Sequence, residues 1–354
     1  MVEREHILVI VQIFIGIVGV AGNATVCLVV RKLASQGGNV NILIVYQAGI
    51  DLLASVLLIL TAFTTLFPPE SLPRNIIMGR LYCIFWHYSV ILWSTFAMST
   101  YNLLVITLER YIAVLHPIWY TRYFTRKTAI ILIVVAWCIS PIMQITFGFN
   151  HVGYSTRREC IDTPNPPSVI ATQGVLLFVW EFLLPVVLMA FAFTRICIKL
   201  QQQNRRVAGV TTAMSSVRRT MTTDASAVSI VVANQSTTGS GEPAVVMVKE
   251  NTDSSSVTTG PQQQQPQQQQ PVKRYRNVTI TLAIVFATYI ICWAPAQIFF
   301  VLKNLGLDLQ YQERSRLKSF AIVMGMLNSV CNPFIYALRF KQYQQAIKGL
   351  FNRR

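Results

Sequence analysis

The sequence predicts an all-α membrane protein, a seven-transmembrane helix bundle with a short amphipathic eighth helix. Three observations lead there. Of 354 residues, 53% are hydrophobic and only 12% charged, about half the charged share of an ordinary soluble domain. The apolar residues fall into seven runs of membrane-crossing length, roughly 7–30, 40–66, 82–113, 127–149, 169–200, 277–302 and 317–338. The positive charge is also one-sided: with the N-terminus outside, roughly 21 of the 30 Lys and Arg lie on the cytoplasmic side. The net charge of +16 therefore reads as positive-inside topology and attraction to anionic membrane lipids. No nucleic-acid partner is expected.

The elements follow in chain order. Residues 1–6 form a short extracellular N-terminus, too small for a dedicated hormone-binding ectodomain. Residues 7–200 carry spans one to five. Span one is too long for a signal-peptide core and reads as a signal-anchor. Span three, at about 1.5 Å per residue, exceeds a bilayer core of about 30 Å, which predicts one tilted, protruding helix. Pro185, Pro295 and Pro333 interrupt spans five, six and seven and predict kinks, with the bulky Trp293 beside Pro295 as a lever. Residues 201–276 are rich in Ser, Thr and Gln and contain a Pro/Gln tract, which predicts a disordered cytoplasmic third loop. Its basic ends are expected to prolong the flanking helices. Residues 277–338 carry spans six and seven. In residues 339–354, Phe340, Ile347, Leu350 and Phe351 can share one helical face, an eighth helix lying on the inner membrane surface.

Polar groups at membrane depth are expensive and usually mark function. Asp51 lies in the middle of span two, with Asn23, Ser99, Asn328, Ser329 and Asn332 at similar depth in other spans. Carboxylate, hydroxyl and amide oxygens together suit a small hard cation such as sodium; a protonated Asp51 in a water-filled network is the alternative. Glu109-Arg110-Tyr111 closes span three and Asn332-Pro333-Phe334-Ile335-Tyr336 closes span seven. Of seven cysteines, only Cys83 and Cys160 fall on the outer, oxidising side, so a disulfide between them is expected. The four histidines show no metal-ligand spacing, and no nucleophile elbow or phosphate loop occurs, so an enzyme is not expected.

In this order, the motifs resemble the rhodopsin-like (class A) family of G-protein-coupled receptors. The resemblance rests on Gly22-Asn23, Asp51, Glu109-Arg110-Tyr111, Trp137, Pro185, Cys292-Trp293-Ala294-Pro295 and Asn332 to Tyr336. Gly79 four residues ahead of Cys83 fits the family disulfide. The resemblance implies a plasma-membrane receptor that binds an extracellular ligand and activates a heterotrimeric G protein. It further implies that Arg110 is held inward at rest, that outward swing of span six frees it, and that Tyr336 turns inward. Asp51, Ser99, Asn328 and Asn332 would form an allosteric sodium site; no other cofactor is implied. Arrestin would contact the third loop. Non-signalling members of the same fold and, more remotely, an ion transporter are the competing readings.

Four departures from the family pattern stand out. Cys83 to Arg110 spans 27 positions, longer than in many members, so span three bulges at its start or the disulfide sits differently. Phe193 replaces a tyrosine in span five. Tyr275 stands where some members keep an acid that locks Arg110, and Thr100 and Tyr289 replace an apolar pair near Pro185. For the ligand, Met326 takes the place of the retinal-binding lysine, so retinal is not expected. Leu92 takes the place of the aspartate that holds monoamines, which argues against a monoamine. His87, Tyr88, Trp93, Gln144, Trp180, Glu181 and Gln297 are expected to line an outer cavity whose mixed aromatic and amide character suits a peptide. The stretch from Ser99 through Arg110 to Ile118 is similar to invertebrate orphan receptors grouped near neuropeptide receptors, which points the same way.

Overall fold

The computed structural model describes residues 2–34, 39–64, 73–221, 269–307, 311–339 and 343–345. It divides into two units, Met1–Leu200 with Arg274–Arg354, and Gln201–Lys273. In chain order the helices are α1 (Val2–Ala34), α2 (Asn39–Thr64), α3 (Ile76–Tyr82), α4 (Val90–Leu115), α5 (Pro117–Tyr123), α6 (Arg126–Ile139), α7 (Ile142–His151), α8 (Pro167–Phe178), α9 (Leu184–Met221), α10 (Gln269–Asn304) and α11 (Tyr311–Arg339). Strands β1 (Val152–Tyr154) and β2 (Cys160–Asp162) form an antiparallel hairpin between α7 and α8. Seven helical stretches are long and apolar enough to cross a membrane: His6–Arg31, Asn39–Thr64, Val90–Leu115, Arg126–His151, Pro167–Arg205, Asn277–Asn304 and Ser319–Arg339. They are numbered one to seven below. The chain is a multi-pass helical membrane protein.

Span three is the central rod. Leu92, Phe96, Leu103 and Ile106 are buried in the main apolar core, whereas span four keeps Ile131, Val134 and Val135 exposed on its outer face. That contrast is what a lipid-facing helix packed around a central one must show. Span three does not begin at 82 as one protruding helix. After α3 the chain makes a π-helical turn at Cys83–His87, then breaks at Ser89, whose φ of 56° is left-handed. The long spacing from Cys83 to Arg110 is absorbed there. Span four is also interrupted, at Ser140-Pro141, because the proline at the junction has no N–H to continue the ladder. The prolines singled out from sequence did not include this one.

One end of the bundle is held by β1 and β2. Cys83 and Cys160 form the expected disulfide. Arg80 donates to the carbonyls of Phe149 (2.8 Å) and Val152 (3.2 Å), capping the end of α7 with a cation. Gly79 is required by close approach: a Cβ there would lie 2.1 Å from the Tyr154 ring. Tyr88 donates to Asp162 at 2.6 Å; burial and the Asp162 charge push its hydroxyl well above the usual tyrosine range, keeping it a donor.

Along the chain, α9 continues to Met221 and α10 starts at Gln269, further than the expected span ends. The rest of the predicted loop, 222–268, lies outside the described residues. So does most of the eighth helix: Phe340, Ile347, Leu350 and Phe351 are not described, while residues 343–345 are helical. Gln344 donates to the carbonyls of Ala337 (2.9 Å) and Leu338 (3.2 Å), satisfying the open end of α11. Because Cys83 and Cys160 act as one bond, Cys83→Ser, Cys160→Ser and the double variant should lose surface expression equally. Additive losses in a flow-cytometry assay would count against the linkage.

Candidate functional site

Asp51 is fully buried, and three side chains from three spans serve it. Ser99 Oγ donates to Oδ1 at 2.8 Å. Asn332 Nδ2 donates to Oδ2 at 2.9 Å, and Gln47 Nε2 donates to the same oxygen at 3.1 Å. Gln47 also donates to Ser99 Oγ at 2.6 Å and accepts from Asn102 Nδ2 at 2.9 Å. Sequence reasoning missed Gln47 and Asn102. The signal was available, since Gln47 precedes Asp51 by four residues and so shares its helical face. Asn328 Oδ1, Ser329 Oγ and Asn332 Oδ1 are buried with no hydrogen-bond partner. Asn328 and Asn332 lie one helical turn apart on span seven. Amide and hydroxyl oxygens, with a carboxylate, are the kinds of donor a hard cation takes.

The second polar centre lies at the Arg110 end of span three. Arg110 grips both carboxylate oxygens of Glu109 through Nε and Nη2. Glu109 is buried to 1% exposure and Arg110 to 7%. The Tyr120 hydroxyl of α5 donates to Glu109 Oε1 at 2.5 Å, and Asn39 holds α5 by donating to the Phe124 carbonyl at 2.8 Å. Burial and the Glu109 charge push the Tyr120 hydroxyl up to about 12, so it remains a donor at neutral pH. Among the described residues this is the one ion pair. The side chain of Tyr275 lies outside the described residues. Tyr111 stacks at a tilt on Phe191 of span five, at 6.1 Å.

Elsewhere in the bundle, backbone carbonyls released by Pro185 and Pro333 recruit side chains from other spans. Pro333 has no N–H for the carbonyl of Ser329, and Asn23 Nδ2 of span one donates to it at 2.9 Å. Gly22 lets this approach happen, since a Cβ there would meet the Pro333 ring at 3.1 Å. In span five, residues Val179–Leu183 form a π-helical turn in which Leu184 N–H bonds back to Val179. The Trp180 carbonyl is left to the Tyr101 hydroxyl of span three, at 3.0 Å. The Glu181 carbonyl, also deprived of an N–H by Pro185, accepts from the Tyr289 hydroxyl of span six at 3.2 Å. Thr100 donates to the Phe96 carbonyl of its own span at 3.1 Å. Of the polar pair that departs from the family pattern, Tyr289 is thus the residue that bridges two spans, six and five. Phe193, lacking a hydroxyl, stacks on Phe286 of span six at 5.3 Å.

The expected cavity residues do not form one set. Trp93 and Trp293 meet edge to face at 6.0 Å, with Phe96 against Trp293 at 5.1 Å. Trp293 lies over Gly325 of span seven, beside buried Met326. Leu92, Gln144, Glu181 and Gln297 are buried. His87 is exposed in the π turn, with Tyr88 edge-on at 5.2 Å. Trp180 faces elsewhere: it stacks on Tyr101 and donates Nε1 to the Ser140 carbonyl at 3.3 Å, which fills the seam at the span-four break. Glu181 bonds neither Tyr88 nor Gln144 through its side chain. Its Oε1 is buried and has no hydrogen-bond partner.

Comparison with known proteins agrees with this architecture. The family described as "7 transmembrane receptor (rhodopsin family)" matches residues 22–336, most of the chain. The human histamine H2 receptor is 25% identical over 341 residues, covering 95% of this chain and 76% of that receptor. The mouse 5-hydroxytryptamine receptor 1B is 26% identical over 332 residues, covering 93% and 82%. The alpha-1A adrenergic receptor of Oryzias latipes is 25% identical over 277 residues, covering 77% and 52%. None of these is named for a peptide, so the peptide ligand expected from the sequence gains no support from them. Tyr289→Phe removes the donor to the Glu181 carbonyl and should lower the apparent melting temperature by roughly 2–4 °C, for a bond of about 1 kcal/mol. An unchanged melting curve would mean that the bond carries no net stability.

Proposed function

We propose that this chain, which belongs to the rhodopsin family of seven-transmembrane receptors, is a plasma-membrane receptor that couples a ligand carrying a basic group to a heterotrimeric G protein. Its members are receptors, not enzymes. The N-terminus and the disulfide face outside, where thiols oxidise, and the Arg110 end faces the cytoplasm with most of the positive charge. The observation that carries the coupling role is the buried Arg110–Glu109 fork capped by Tyr120. A buried ion pair is poor value as mere stabilisation, and at membrane depth it is costly enough to mark function. Outward movement of span six exposes Arg110 to the G protein. Ligand and G protein then bias one equilibrium from opposite ends, and each must strengthen the other's binding. The loop 201–276 offers basic ends and many serines and threonines to arrestin.

The basic ligand is argued from Glu181. Its buried Oε1 lacks a partner and no cation pairs with it among the described residues, so a ligand ammonium or guanidinium would complete it. The relatives named for histamine, adrenergic ligands and 5-hydroxytryptamine make a small amine as natural a candidate as the peptide expected from sequence. With Leu92 in span three, the amine would be held from span five. Trp93, Gln297 and Met326 complete the proposed binding region. Sodium would be held by Asp51, Ser99, Asn328 and Asn332, as a bound charge that favours the resting arrangement.

Arg110→Ala should abolish nucleotide exchange on the partner G protein while surface expression is retained; unchanged exchange would remove Arg110 from the coupling role. Glu181→Gln keeps the size and removes the charge. It should weaken binding of a basic ligand found by an amine and peptide screen about tenfold to a hundredfold, for a charge-assisted bond of roughly 1.5–3 kcal/mol. Equal affinity would reject the ion pair.

A further inference from the structure

We infer that Gln47 sets the cation affinity of the Asp51 site, its amide acting as a tethered competitor for the position a small cation would take. The inference rests on the sodium reading above. Gln47 Nε2 lies 3.1 Å from Asp51 Oδ2 and 2.6 Å from Ser99 Oγ. Those two side chains are the ones a cation would need to bridge. The two amide protons meet one oxygen each, so a neutral donor occupies the junction of carboxylate and hydroxyl. A carboxylate offers about four acceptor positions. Three are taken, two of them on Oδ2 by Gln47 and Asn332. A cation must therefore displace an amide proton donor before it reaches Oδ2.

The amide is held in this pose from behind. Asn102 donates to Gln47 Oε1 at 2.9 Å and is itself fully buried. Gln47 is as buried as Asp51. Meanwhile the oxygens of Asn328, Ser329 and Asn332 remain without hydrogen-bond partners. Oxygens that a cation could use are thus left without a donor, while the carboxylate it needs is engaged by a side chain of its own helix. Replacing Gln47 with an apolar residue of similar size leaves the other ligands in place and frees one position on Oδ2.

The test is thermal unfolding of the full chain in lipid nanodiscs, titrated with sodium chloride against N-methylglucamine chloride at constant ionic strength. Gln47→Met should reach half-maximal stabilisation at a sodium concentration about tenfold or more below wild type. Gln47→Leu should do the same, which guards against a folding defect peculiar to one variant. Adding Asp51→Asn to Gln47→Met should abolish the sodium-specific shift. Equal or higher midpoints in both Gln47 variants would overturn the role of Gln47 and leave the sodium site standing. No sodium-specific stabilisation in wild type or in either variant would overturn the sodium reading, and this inference with it.

Discussion

Inside a bilayer a polar group has no water to fall back on, so one left without a partner within the protein is costly. The carbonyls of Ser329, Trp180 and Glu181 are released by a proline or a π-helical turn, and each is answered from another span, by Asn23, Tyr101 and Tyr289. The Asp51 carboxylate is answered from spans three and seven as well as its own. These bonds fix spans one, two, three, five, six and seven at particular heights. The apolar core fills the space between them but cannot set that register, since lipid is as apolar as leucine.

The same bonds are weak enough to exchange. An interhelical hydrogen bond in a membrane contributes about 0.6–2 kcal/mol, so a handful can be remade at the cost of one ligand's binding energy. Pro295 and Pro333, which lie inside continuous helices and lack an N–H, and the π turn of span five are where the regular ladder is already interrupted. Trp293 sits among Trp93, Phe96 and Gly325, joining the proposed ligand region to span six beside its proline. On span six, the Tyr289 hydroxyl reaches the span-five carbonyl of Glu181, and Phe286 stacks on Phe193 of the same span.

Much of this was legible in the sequence. Seven long apolar runs give seven spans because a hydrophobic run of that length has no other stable home. Asp51 predicts its partners in spans three and seven because a carboxylate at mid-membrane must be answered. Residues whose role comes from backbone defects were harder to see. Trp180 looks like a pocket aromatic, yet the break at Ser140-Pro141 supplies a carbonyl for its indole. Ser89 takes a left-handed conformation that nothing in its neighbours announces. Gln47 was overlooked because an amide in a span draws less notice than a charge, although its spacing from Asp51 was plain. The ligand was least legible, because a cavity's chemistry depends on which side chains turn toward it, and Trp180 turns away.

Coupling as proposed requires span six to move away from span three and expose Arg110. The most direct measurement is the distance between spin labels at the Arg110 ends of those two spans, by double electron–electron resonance in nanodiscs, with and without nucleotide-free G protein. A longer-distance population that grows with G protein, and is lost in Arg110→Ala, is the expected result. One unchanged distance in the presence of a G protein that binds the chain would contradict the claim.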